Sequence, residues 1–569
     1  MSRTVDAFLI AFLIGGCFVN ESTQDDEIND WPTPALMTQG EVWPLPQKID
    51  YGRENRTIRK GGITIAFQGL RDVDCDILEF AKRTYQKDWF FPTRLAPMTG
   101  GIKLVIRTEG PCPPKDAYPG QDMNEEYYLR VPTGGDAVLE ADEVWGILRG
   151  LETFSQLIFQ SHNQYYIRTA TIHDWPEYSI RGVLVDTSRH YLPKKTLIRQ
   201  LDLMAQNKMN LLHWHIVDSQ AFPYVSKKYP NLSDKGAYTP SHVYNKNTVQ
   251  EIIDHAKMRG IRVMAEFDTP GLLIEQTQTY RLVKGHMGSW RGELGLLAEC
   301  RDALGHIVPS NIIDPSLDRN FVFLKNFFNE ILTVFPERLI HLGGDEVGAW
   351  KSCWLSNPKI MDFMQKKGFG SNTTLLENYY YSKFVNFKLE DIIQELLGND
   401  DNSRMVFWEE VFNFNTPSPK SIAHIWYSST ESQRKQALHR YTAAGHEVIL
   451  SSCWYLNYIK YGADWKEMPS ALYYCNPRDF DGTEEQKKLV LGGIAAVWGE
   501  FIDSTNVETV LWPRASAVAE RLWSNSKDTN DADAAWPRLH EHRCRMINRG
   551  FRAQPINGPD YCAVEFEES

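Results

Sequence analysis

The chain has 569 residues and a formal net charge of −12, with 42% hydrophobic and 24% charged residues. That length calls for more than one domain, and the composition excludes disordered and fibrous classes. The acidic balance, with no basic block, argues against a nucleic-acid partner and leaves room for a neutral ligand.

After Arg3 the sequence reads AFLIAFLIGGCFV, Ala7 to Val19. This run is too short to span a bilayer and ends in small residues, as a secretory signal peptide does. Residues 1–19 are assigned to it, with cleavage between Gly16 and Asn20. Residues 20–40 are polar and acidic and are expected to be a disordered lead-in. Residues 41–175 hold short apolar strands (GITIAF, IKLVIR, EYYLRV) and two helices, CDILEFAKRTYQKDWF and EVWGILRGLETFSQLIF. They predict a smaller α+β domain.

From 176 to 569 the rhythm changes. GVLVDT, NLLHWHIVD, IRVMAEFDTP, LIHLGGDEV, MVFWEEV, IAHIWYSS, EVILSSCWYLN and GGIAAVWGEF alternate with amphipathic helical stretches. The strands are nearly continuous in apolar residues, as a parallel sheet covered by helices requires. Eight such units predict an α/β fold, a (β/α)8 TIM barrel. One helix is missing, because only NFNTPSPKS separates the fifth and sixth strands. A doubly wound open sheet competes, but no Gly-rich phosphate loop follows an early strand. No cofactor is expected.

Cys17 lies in the signal, which leaves Cys75, Cys112, Cys300, Cys353, Cys453, Cys475, Cys544 and Cys562. An even number in a secreted chain suggests disulfides, and proximity suggests pairing in sequence order. No pair has CxxC metal spacing, so no metal is expected. Sequons stand at Asn55, Asn231 and Asn372, with a fourth at Asn20 on the signal boundary.

In a barrel the active site lies at the C-terminal ends of the strands. Those ends carry Asp186, Asp218, Glu266, Asp268, Asp345, Glu346, Glu409 and Glu410, interleaved with Trp408, Trp426, Trp454 and Trp498, then Tyr455 and Glu500. Aromatic rings pack on the C–H face of a pyranose while carboxylates accept from its hydroxyls, so the mixture suits a sugar. A tryptophan at a strand end also packs a barrel rim, and Gly343-Gly344 also serves tight packing; four such tryptophans favour the ligand.

The stretches RGVLVDTSRHYLP, LLHWHIVDSQAFPY, AEFDTPG, HLGGDEV, FWEEV, SSCWYLNY and AVWGEF, in this order, closely resemble the family 20 glycoside hydrolases. The resemblance runs from EVWPLPQ to the C-terminus and is strongest to animal lysosomal or secreted β-N-acetylhexosaminidases. It implies an exo-acting, retaining enzyme that releases terminal β-linked GlcNAc or GalNAc. In this family the substrate's own 2-acetamido oxygen is the nucleophile, which explains why two acids can sit side by side. It implies Glu346 as general acid and base, Asp345 as the group that orients the acetamide and stabilises the oxazolinium, and Tyr455 as donor to the acetamido oxygen. Trp408, Trp426 and Trp498 would wall the acetamido pocket. Arg181 and Glu500 would grip the outer hydroxyls, and Asp218 would belong to the supporting polar network. The pairs Cys75–Cys112, Cys300–Cys353 and Cys544–Cys562 match family positions, with Cys453–Cys475 an addition. A homodimer and a secretory route to lysosome or exterior are also implied.

The match departs at Leu272, where the family usually has histidine, at Ser219, where animal relatives often carry an acid, and at Tyr458, where chains accepting anionic substrates have arginine. Leu272 makes a catalytically weak sugar-binding glycoprotein the alternative reading. An ordinary two-carboxylate glycosidase using Glu346 with Glu410 or Glu500 is a third.

Overall fold

The computed structural model describes residues 37–556 and 561–562, apart from 69–74, 92–99, 162–163, 272–288, 309, 385–403, 415–416, 419, 429, 459–462 and 467–471. The signal segment, Asn20 and Leu272 lie outside the described residues.

Seven strands form the first layer: β1 (Lys48–Ile58), β2 (Ile63–Gln68), β3 (Ile102–Thr108), β4 (Tyr127–Val131), β5 (Ala137–Ala141), β6 (Ile158–Ser161) and β7 (Gln164–Asp174). Their order is β1-β7-β4-β5-β3-β2, with β6 also on β7. Three of these strands were predicted. The others carry a weaker signal: β1 is mostly exposed and has a register shift between Tyr51 and Asn55, and β5 has five residues. Helix Val144–Gln156, predicted from its periodicity, is buried at every position, Arg149 and Glu152 included. One side meets the sheet; the other meets the barrel, where Arg149 Nη2 donates to the Gly260 carbonyl at 2.8 Å.

The barrel closes in parallel through β8 (Ile180–Asp186), β9 (Leu211–Val217), β10 (Arg262–Phe267), β13 (Leu339–His341), β14 (Arg404–Trp408), β15 (Ile422–Ile425), β16 (Val448–Leu450) and β17 (Val490–Val497). A two-stranded hairpin, β11 (Cys300–Arg301) and β12 (Ile307–Val308), lies outside it. All eight predicted strands are present. Between β14 and β15 the described residues form only the one-turn helix Glu410–Phe414, as the short connection requires. The four cysteine pairs form in sequence order, with Cα–Cα separations of 4.6 to 6.5 Å. Asn55, Asn231 and Asn372 are exposed. No helix among the described residues is long and apolar enough to cross a membrane.

The ordered chain begins before residue 41. The Thr38 hydroxyl and the Gly40 N–H donate to the buried Glu541 carboxylate, each at 2.7 Å, which ties the lead-in to helix Ala532–Asn548. Sheet and barrel are joined by charge. Glu125, just before β4, accepts both bonds from Arg181 Nη2 (2.6 and 2.7 Å) and one from Arg149 Nε (2.7 Å). Burial alone would raise the Glu125 pKa, but the two guanidiniums outweigh it and hold the group below its ordinary value. Its ionisation therefore stabilises the fold above the unfolded carboxyl pKa, and this contribution is lost as pH falls through the lowered folded value. Glu125→Gln leaves two arginines buried without their counter-charge, and a loss of roughly 3–5 kcal/mol is expected. Chemical denaturation of the full chain checks this; an unchanged midpoint would remove Glu125 as the joint.

Candidate active site

The barrel interior changes character from bottom to top. Ile180, Leu211, Leu339, Ile422 and Ile449 form an aliphatic core. Above it lies a buried polar layer of His213, His215, Glu266, His341 and His424. Glu266 Oε2 bonds His213 (2.8 Å) and His215 (2.7 Å), while Oε1 accepts from the Trp408 indole (2.8 Å). Burial would raise the Glu266 pKa, but the surrounding imidazoles hold it well below the usual carboxyl range. Burial would likewise lower His215, yet Glu266 and Asp218 overcome this and raise it to about 10. His215 is therefore a cation linking the two acids, with Asp218 Oδ2 3.0 Å away. Burial lowers His213 to about 4, keeping it neutral.

His424, which burial likewise keeps neutral, supports the site from below. Ser451 Oγ donates to the Ile494 carbonyl (2.7 Å), so it accepts from His424 Nε2 (2.7 Å). His424 Nδ1 then accepts from His341 Nε2 (3.1 Å), which fixes the ring two residues before the glycine pair. Gly343 and Gly344 follow with φ of 71° and 98°, left-handed values that side chains resist. Space forbids a side chain too: a Cβ on Gly343 would lie 1.7 Å from Asp268 Oδ1, and one on Gly344 2.4 Å from Val411. The Gly344 N–H donates to Asp268 at 2.8 Å. Glu346 also has positive φ, at 55°. The backbone thus turns sharply at HLGGDE, and both acids line one cavity.

That cavity, about 320 Å³, is lined by Arg189, Gln220, Asp345, Glu346, Trp408, Trp426, Tyr455, Asn457, Tyr458, Trp498, Glu500, Phe501 and Ile502. The aromatic wall is contiguous: Trp408 lies 6.0 Å from Trp498 and 6.4 Å from Trp426, and Tyr455 stacks on Trp426 at 6.2 Å. Glu410 accepts from the Trp426 indole at 2.8 Å, fixing that ring. Burial lifts the Glu410 pKa to about 7. Burial also raises the Tyr455 phenol well above its ordinary value, so it stays a hydrogen-bond donor.

Asp345 Oδ1 is buried and accepts no hydrogen bond from the described residues. Burial, with the negative charge of Glu410, Glu266 and Glu346, pushes the Asp345 carboxyl well above its usual range. The acids crowded around Asp345 leave its surroundings short of positive charge, and a cation forming beside Asp345 would relieve that shortage.

The structure brings together eight of the nine residues expected from the sequence, Asp218 through the polar layer and the others on the cavity. Arg181 is the exception. It sits at the start of β8, at the opposite end of the barrel, fully buried, bonded to Glu125 and to the Lys208 carbonyl. Arg189 stands at the cavity instead. Its Nη1 contacts Asp218 (2.6 Å) and Asp186 (3.2 Å), and its Nε lies 4.0 Å from Glu500. The signal was available, since Arg189 comes three residues after the end of β8 and Arg181 is its second residue. Gln220, Asn457 and Phe501 were also missed, being loop residues with no periodic signal.

The sequence pattern of glycosyl hydrolase family 20, catalytic domain, matches residues 178–526, and that described as beta-acetyl hexosaminidase like matches 103–157. The chain is 46% identical to a beta-hexosaminidase A of Caenorhabditis briggsae, over 94% of this chain and 95% of that one. It is 42% identical to the human beta-hexosaminidase subunit beta, over 96% and 93%. In solved structures it resembles the chitobiase of Flavobacterium johnsoniae, at 26% identity and TM-score 0.71, covering 90% of this chain and 73% of that one. The chain belongs to glycosyl hydrolase family 20 and is a glycoside hydrolase.

Proposed function

We propose that this cavity releases single β-linked N-acetylhexosamine residues from the non-reducing end, with the substrate's acetamide as nucleophile. The observation that carries this reading is Asp345, a buried carboxylate with an unpartnered oxygen among aromatic walls. An acetamido N–H would donate to it, and the oxazolinium charge would then develop beside it. The Tyr455 hydroxyl would donate to the acetamido oxygen and aim it at the anomeric carbon. Glu346 would protonate the departing oxygen, then take a proton from the water that opens the oxazolinium, giving retained configuration. Trp408, Trp426 and Trp498 would exclude bulk water. Arg189 and Glu500 would hold the outer hydroxyls; a cavity of about 320 Å³ has room for little more than one sugar, which supports exo action.

Among the described lining residues Arg189 is the only cation, and Asp186 and Asp218 already pair with it. This supports neutral GlcNAc or GalNAc termini over anionic ones. The apolar run at Ala7–Val19, four disulfides and exposed sequons support passage through the secretory pathway.

A thiazoline analogue of the oxazoline intermediate tests the mechanism. It should bind about 10²-fold or more tighter than the monosaccharide product, as an intermediate mimic does. Equal affinity for the two would favour an ordinary two-carboxylate route. Arg189→Lys should raise KM, because Nη1 alone meets Asp186 and Asp218, and an ammonium that kept those two ion pairs would have no second planar nitrogen to offer a sugar hydroxyl; an unchanged KM would free Arg189 of that role.

A further inference from the structure

We propose that the bridge Cys453–Cys475, an addition to the bridges that the family resemblance implies, is a positioning device for the reaction: it fixes the chain at Tyr455 and so aims the phenol at the substrate's acetamide. This rests on the role given to Tyr455 above and extends it to what holds that residue in place.

Cys453 stands two residues before Tyr455, and no other cysteine lies within five residues of a cavity-lining residue. It also marks the point where the chain changes neighbours. Before it, the Ser451 and Ser452 N–H groups donate to the Ile425 carbonyl of β15, at 2.8 and 3.2 Å. After it, the Trp454 carbonyl accepts from the Ala496 N–H of β17 at 2.8 Å, and the Leu456 N–H donates to the Ala496 carbonyl at 2.7 Å. Between the two, the Trp454 N–H turns back to the Ser451 carbonyl at 2.8 Å. The chain therefore bends at Cys453 as it passes from one neighbour of β16 to the other. A small backbone rotation at this bend swings the Tyr455 phenol, a long lever, along the cavity wall.

The far end of the bridge is firmly held. Cys475 is buried and follows the single turn Leu472–Tyr474. There the Tyr473 hydroxyl donates to Glu520 (2.6 Å), the Tyr473 carbonyl accepts from Arg521 Nε (2.8 Å), and the Leu472 carbonyl accepts from the Trp454 indole (3.1 Å). Glu520 and Arg521 belong to helix Arg514–Trp523. The same helix holds the chain beyond Tyr455: Arg514 donates to the Leu456 carbonyl and, at 3.0 Å, to the Tyr458 carbonyl, and it pairs with Asp464 at 2.6 Å. Tyr455 is thus clamped before and after, and both clamps lead to one helix. The ordinary role of such a bridge is stability, since linking residues at a sequence separation of 22 restricts the unfolded chain. Stability alone leaves kcat untouched wherever the protein is folded. Positioning does not, because a shift of about 1 Å in an aiming group can cost about 10²-fold in rate.

The test is a cycle of kcat measurements on an alkyl β-glycoside of N-acetylglucosamine, well below the unfolding midpoint of each variant. Cys453→Ser with Cys475→Ser, which leaves no free thiol, should lower kcat by about tenfold, the scale of a sub-ångström displacement. In a Tyr455→Phe background the same pair of changes should cost less than about twofold, because the hydroxyl through which the bridge acts is gone. Cys75→Ser with Cys112→Ser removes the bridge at the start of helix Asp76–Thr84 in the first domain; it should lower Tm but leave kcat within about twofold. An unchanged kcat in the folded Cys453/Cys475 variant, or an equal loss in both backgrounds, would overturn the proposal. Failure of that variant to fold would overturn it as well, assigning the bridge to the fold. Tyr455→Phe with wild-type kcat would sink the role of Tyr455, and this inference with it; damage from Tyr455→Phe but none from removing the bridge would sink this inference alone.

Discussion

Glu346→Gln is expected to lower kcat by about 10²- to 10⁴-fold on substrates with a poor leaving group, the range carried by one positioned proton donor. The amide keeps the shape of the acid but can neither protonate the departing oxygen nor deprotonate water. The loss should be smaller when the leaving group is an activated phenol that needs little protonation. Azide should then restore turnover, because an anionic nucleophile attacks the oxazolinium without a base, and the product should be the β-glycosyl azide. The positive φ of Glu346 is backbone, so the substitution leaves the turn unchanged and the variant should fold. A Gln variant with wild-type kcat on an alkyl or sugar leaving group would remove Glu346 from proton transfer.

Asp345→Asn is expected to cost about 10²- to 10³-fold in kcat, comparable with removing one preorganised group from a transition state. The asparagine can present its N–H to the acetamide instead of accepting from it, and it has no charge to balance the oxazolinium. The loss should fall mainly on kcat, since the ground-state acetamide is neutral and KM reports mostly the wall and rim contacts. The variant should also be no less stable than wild type. Asp345 is crowded by Glu410, Glu266 and Glu346 in a buried setting, and removing one acid relieves that repulsion. Loss of activity accompanied by loss of fold would assign Asp345 a structural role instead.

The barrel was legible because its strands are buried on both faces and read as unbroken apolar runs, such as Ile180–Asp186 and Val490–Val497. The first sheet was half legible. The edge strand β2 and the inner strands β3 and β4 show apolar blocks, but β1 exposes most of its length and looks like loop. The acids and tryptophans were legible from their place at strand ends, where chain direction alone assigns them to one face. The Arg181 error came from setting aside that same rule: a residue at the start of a strand cannot reach the mouth. The layer of Glu266 and its histidines is a different case. His213, His215 and Glu266 stand out at the ends of two strands that pair directly, but the bonds of Glu266 to Trp408 and of His341 to His424 join strands that are not neighbours, and only the folded barrel brings those together.

The central claim is that the sugar's own amide attacks the anomeric carbon beside Asp345. Its most direct test is the rate of hydrolysis of a series of aryl β-glycosides whose N-acetyl group carries zero, one, two or three fluorines. Fluorine withdraws electron density from the amide oxygen without adding much bulk, so kcat/KM should fall steeply and monotonically along the series. A rate independent of fluorination, with a sugar covalently trapped on Glu410 or Glu500, would contradict the account.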